Sequence, residues 1–138
     1  MEINHKDTAM TLLLTCLTLA MLLPYMAKYP LAKAMRHDGG YDNSEPRTQQ
    51  SELTGFGARA LAAHQNAFES LLIFACAVLA VLATDRVTVV AEIAAMVHIV
   101  ARIVYHYLYL KDFDKARSLA WLIGMLSSLV ILSQVFDF

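Results

Sequence analysis

RALAAHQNAFESLLIF, residues 59–74, begins as a polar helix start and passes into an apolar run with no turn signal between. The run continues, so Ala58 to Thr84 form one window long enough to cross a bilayer, which takes about 20 mostly apolar residues at about 1.5 Å each. Three more windows flank it: Met10 to Ala32, Val87 to Leu110 and Leu119 to Phe136. Together they use most of the 138 residues and leave no room for a separate soluble domain, so residues 1–138 read as one membrane domain. The expected fold is all-α: an integral membrane four-helix bundle with up-down-up-down topology.

Composition agrees with that class. The chain is 58% hydrophobic with a mean hydropathy of +0.50, well above the usual apolar share of a soluble domain. Alternating ten-residue strands, the mark of a membrane barrel, are absent from the pattern. The first window is read as an uncleaved span, because Glu2 and Asp7 oppose Lys6 ahead of it, unlike the basic start of a signal peptide. Cys16 and Cys76 both fall inside apolar windows, where a small buried hydrophobe is the expected role rather than a disulfide or a metal ligand. No metal site is expected, and no basic face suggests nucleic acid.

Charge decides the sidedness. Lys28, Lys33, Arg36, Arg47 and Arg59 surround the connection between the first two spans, and Lys111, Lys115 and Arg117 lie between the last two; the other side has Lys6 and Arg86. Positive charge stays cytoplasmic, so both termini are expected outside and the first and third loops inside. Pro24 and Pro30 are expected to kink or fray the end of the first span. The segment from Arg36 to Gly55, with Gly39-Gly40, Asn43, Ser44 and Pro46, reads as turn chemistry without helix or strand. Thr84-Asp85-Arg86 is a tight link that makes the second and third spans antiparallel neighbours.

At about 100° per residue, Arg59, Ala62, Asn66 and Glu69 share one stripe of the second span, with His64 pointing away. His98, Arg102, Tyr105 and Tyr109 form a matching stripe on the third, flanked by His106. Glu69 lies roughly 15 Å along the axis from Arg59, a depth at which a charge facing lipid costs about 2.5–3.5 kcal/mol. Glu69 and Arg102 reach similar depths and are expected to pair. The plainer role for such residues is hydrogen-bonded glue between helices, for which Asn66 is equally suited. His64 suits packing or headgroup contact, Glu92 the outer interface, and Trp121 and the tyrosines near span ends interfacial anchoring.

The motif Arg59-x-x-x-x-His64-x-Asn66-x-x-Glu69, followed by an apolar span, resembles the signature of the MAPEG family, the membrane-associated proteins in eicosanoid and glutathione metabolism. A second match follows in the third and fourth spans: Arg102, Tyr109, and then Arg117-Ser118. The resemblance covers nearly the whole chain and points to a bacterial-type member in an inner membrane. It implies a homotrimer in which glutathione, as co-substrate, lies between subunits near the cytoplasmic side while a lipophilic small molecule or lipid enters from the bilayer. By the same resemblance, Arg117 and Ser118 are the catalytic candidates, Arg117 stabilising the thiolate and Ser118 donating to the sulfur. Arg59, Asn66, Glu69, Arg102 and Tyr109 are the glutathione-binding candidates. A fixed cation raises the thiolate fraction of a nearby thiol.

Three departures stand out. Ala62 replaces an arginine of the glutathione-using branches, Gln65 a frequent basic residue, and Ile73 the proline after the glutamate. A methyl group cannot replace a bidentate guanidinium on a carboxylate. The leading expectation is a glutathione-dependent transferase or peroxidase for lipophilic electrophiles. Loss of the arginine at Ala62 favours the alternative of a non-catalytic lipid-binding or scaffold member. A small proton-coupled exporter using Glu69 is a third reading, and it leaves Arg102, Arg117 and Ser118 without a role.

Overall fold

The computed structural model describes residues 5–37 and 39–136. Its elements are α1 (His5–His37), α2 (Pro46–Glu52), α3 (Gly55–Ala83), α4 (Val89–Leu110) and α5 (Asp114–Ser133). Four of them, α1, α3, α4 and α5, are long and apolar enough to cross a membrane, and among the described residues there is no strand. The expected all-α architecture is present.

Both tight turns between long helices close in the same way. Arg86 N–H donates to the Val81 carbonyl at 3.0 Å and Asp85 N–H to Leu82 at 3.2 Å; Phe113 and Asp112 repeat this on Leu108 and Tyr109 at 3.0 and 3.2 Å. These paired bonds satisfy carbonyls that the helix end leaves open. The motif puts one residue in the left-handed region, here Asp85 (φ 57°) and Asp112 (φ 65°). Each of these aspartates reaches a cation at the start of another helix: Asp85 pairs with Lys6 at 2.6 Å, and Asp112 with Arg59 at 3.2 Å.

Thr88 caps α4 by accepting from Ala91 N–H at 3.1 Å, while its hydroxyl donates to Gln134 Oε1 at 3.0 Å beyond the end of α5. Thr88→Ala is expected to cost about 0.5–2 kcal/mol. Thermal unfolding of the detergent-solubilised protein would show this as a lower midpoint, with Thr88→Ser close to wild type.

Helix contacts are most extensive between α4 and α5 and between α1 and α3, followed by α3 with α5 and α1 with α4; α3 and α4 touch less than any of these pairs. The bundle order is therefore α1, α3, α5, α4, with α3 and α4 facing each other across a diagonal. This corrects the expectation that the short link makes them side-by-side neighbours. A short turn constrains where two helices join, whereas side-chain size decides how closely they pack beyond it.

Two apolar clusters fill the interior. One gathers Leu13, Cys16, Phe74, Val78, Val81, Ala95, Ile99 and Ile131; the other gathers Leu31, Met35, Leu53 and Ala60. Beside these clusters the interior also holds the buried polar side chains of His64, His98, Arg102 and Ser128, so the bundle carries polar groups within its apolar length.

Three local expectations are corrected. The segment from Arg36 to Gly55 does contain a helix, α2. Asp42 Oδ1 accepts from Ser44 and Glu45 N–H at 2.7 and 3.1 Å, and Pro46, whose ring presets the helical φ, opens the first turn. Gln49 then ties it to the Met35 and Gly40 carbonyls at 3.2 and 2.6 Å. Next, α1 does not fray at Pro24 and Pro30 but stays helical to His37, with His64 Nδ1–H donating to the Pro24 carbonyl at 2.9 Å and bracing that stretch against α3. His64 is thus a packing residue. Finally, Cys16 is buried as expected but Cys76 is exposed, because it lies off the face that α3 turns inward.

Candidate functional site

Arg102 is the largest fully buried side chain in the protein's described part, at 2% exposure. It reaches across the diagonal: Nη2 donates to Asn66 Oδ1 at 2.7 Å and to the Asn66 carbonyl at 3.3 Å. The expected direct pair with Glu69 does not form. Asn66 stands between them, and its Nδ2 donates to Glu69 Oε2 at 2.8 Å. Glu69, three residues on, turns about 60° away from Asn66 and is exposed on the protomer surface. The amide thus passes the polarity of the guanidinium to the carboxylate without direct contact.

The same arginine begins a stack that runs toward the turn between α4 and α5. Its guanidinium carbon lies 4.2 Å from the centre of the Tyr105 ring. Tyr105 meets Tyr109 edge to face at 5.4 Å, and Arg117 at the start of α5 covers Tyr109 at 4.1 Å. Cation–π contacts of this kind contribute about 0.5–2 kcal/mol each, more where water is excluded. The spacing explains the ladder. Arg102, Tyr105 and Tyr109 sit at intervals of three and four, so they rise on one face of α4.

Deeper in the bundle, His98 is held on three sides. Its Nδ1–H donates to the Gly124 carbonyl at 3.0 Å, with Ser128 Oγ at 3.1 Å from the same nitrogen. Its ring stacks on Phe74 at 4.0 Å with 13° between planes, and Nε2 faces Ser70 Oγ at 3.5 Å. Because a carbonyl only accepts, Nδ1 carries a proton. Gly124 permits this arrangement: a Cβ there would stand 3.2 Å from Arg102 Cδ and 3.9 Å from His98 Nδ1.

Between α3 and α5, with α4 as floor, these groups line an open-sided cavity of about 80 Å³ whose lining includes Asn66, Glu69, Ser70, His98, Arg102 and Trp121. That is room for two or three waters at about 30 Å³ each, or for one polar group of a larger ligand. Arg102 Nε is buried with no hydrogen-bond partner.

Of the residues singled out from sequence, Asn66, Glu69, Arg102, Tyr109 and Arg117 are connected in one run of contacts. Arg59 is elsewhere, paired with Asp112, and the exposed Ser118 spends its hydroxyl on the Asp114 carbonyl at 3.0 Å. Trp121 lines the cavity as well as facing outward. Tyr105 joins Arg102 to Tyr109, and its place on the same stripe as both was the available signal. Ser70, Gly124 and Ser128 carried none, since small residues are ordinary at helix contacts in membranes. Among the described residues no three of His, Cys, Asp and Glu converge as a metal set.

In comparison with known families, the model of the MAPEG family matches residues 12–136 of the chain. No curated protein and no solved structure matches the chain.

Proposed function

The chain belongs to the MAPEG family, an integral membrane family of glutathione and eicosanoid metabolism, and from that premise we propose that it is a glutathione-dependent transferase or peroxidase for lipophilic electrophiles. The observation that carries this reading is the continuous run from Arg117 through Tyr109, Tyr105 and Arg102 to Asn66 and Glu69. It places two guanidiniums, two phenols, an amide and a carboxylate along a single path, a set suited to a zwitterionic, net anionic tripeptide.

In this proposal Arg117, at the outer end of the stack, stabilises the thiolate, and Tyr109 contacts the ligand. Ser118 serves the sulfur once its hydroxyl leaves the Asp114 carbonyl. Arg102, Asn66 and Glu69 hold the remainder of the peptide, and Arg59 adds positive charge beside Asp112. The thiol gives its proton to water, and the thiolate sulfur bonds to the electrophilic carbon as halide departs. With a hydroperoxide, two glutathiones supply two electrons and yield disulfide, alcohol and water. A cavity of about 80 Å³ accepts one end of a tripeptide, so the rest must lie outside the protomer. Closure by further copies in a homotrimer satisfies this and also covers Glu69. The lipophilic partner then approaches from the bilayer. The loops flanked by most of the basic residues face the cytoplasm of a bacterial inner membrane, with the termini outside.

Adding millimolar glutathione to the purified protein should raise its unfolding temperature, produce ultraviolet thiolate absorbance and support conjugation of an aromatic halide. Absence of both the thermal shift and the thiolate signal would reject the reading. A second reading, a lipid-binding or scaffold member without catalysis, is favoured by Ala62, where no guanidinium is available for a carboxylate. It predicts a thermal shift with a long-chain lipid and no conjugation.

A further inference from the structure

At the opposite end of α1 from Lys6, a groove of about 420 Å³ lies between the last turns of α1 and the first turn of α3, lined by Lys33, Ala34, His37, Leu53, Thr54, Phe56 and Gly57. We infer that this groove holds the headgroup and upper chain of an anionic phospholipid. The inference is independent of whether glutathione binds.

Depth is the first argument. A helix of 33 residues extends about 50 Å, against a hydrocarbon core of about 30 Å, so its ends project into the headgroup layers. Lys33 and His37 fall just past the apolar stretch of α1, and Thr54 to Gly57 just before that of α3. Both walls therefore stand at the level of lipid phosphates. Charge is the second. Lys33 and His37 are exposed, and neither has a hydrogen-bond or ion-pair partner among the described residues. The third is the opposite wall: Phe56, 43% exposed, presents apolar surface at the membrane boundary, backed by the buried Leu53. A rim of the Lys33 ammonium and the His37 imidazole above an apolar wall matches the order of groups in a phospholipid, phosphate outside and acyl chain inside.

The test uses the whole chain purified in a neutral detergent and titrated with dioleoyl phosphatidylglycerol, dioleoyl phosphatidylcholine or inorganic phosphate, with native mass spectrometry and thermal unfolding as readouts. The wild type should retain phosphatidylglycerol over phosphatidylcholine by about fivefold or more, the factor expected for one surface cation, and unfold at higher temperature in its presence. Lys33→Gln with His37→Gln should abolish the preference. Ala34→Phe, which fills the groove without changing charge, should abolish retention of either lipid, and Lys115→Gln should change nothing. Undiminished preference in the double variant overturns the inference, as does an equal loss in Lys115→Gln or a thermal shift of the same size with inorganic phosphate alone.

Discussion

Arg102→Met is expected to lower the stability of the purified protein by about 1–3 kcal/mol, the cost of leaving a buried acceptor without its donor. The guanidinium supplies the bond from α4 to Asn66 on α3 and covers the Tyr105 ring, so both are lost together. Because Arg102 bonds to Asn66 rather than to Glu69, the variant Glu69→Gln should be much milder, and Arg102→Met with Asn66→Leu should recover part of the loss, since removing both partners leaves no stranded acceptor. Equilibrium unfolding of the wild type, Arg102→Met, Asn66→Leu and the double variant forms the cycle that isolates the coupling. Wild-type stability in Arg102→Met would mean that the bond across the diagonal contributes nothing.

Arg117→Ala is expected to leave the fold intact and to lower conjugation at neutral pH by about tenfold or more, since each tenfold change in thiolate fraction corresponds to about 1.4 kcal/mol of preferential stabilisation. The sign follows from charge. A cation beside the sulfur favours the thiolate and lowers the thiol's pKa. Removing it moves the rise in activity to higher pH, so raising the pH should restore much of the rate. Arg117→Lys should retain a large part, as a point charge still stabilises an anion, although the flat stacking on Tyr109 is weakened. An unchanged pH profile in Arg117→Ala would remove this residue from the role and direct attention to Arg102.

Much of the candidate site is legible in the sequence because helical geometry is local. Intervals of three and four placed Arg102, Tyr105 and Tyr109 on one face, and the stack follows from that face. The pairing of Glu69 with Arg102 was inferred from depth alone and failed, because depth does not say which of two polar residues a turn apart faces the bundle. Asn66 does, and takes the bond. Arg59 was assigned to the same stripe, yet a long side chain at a helix start can reach sideways, and Asp112 was within reach.

The sequence by itself determined that this chain is a membrane bundle of four long helices, and it identified the family, because apolar length and residue spacing along a helix are properties of the chain alone. The tertiary structure decided the order of helices around the bundle, the contact of α3 with α4 across its diagonal, the short α2 that closes the first loop, and the cavity at His98. Each depends on how side chains from segments far apart in sequence fill a shared space, where Gly124 admits the stem of Arg102 and Asn66 intercepts its charge before Glu69 can.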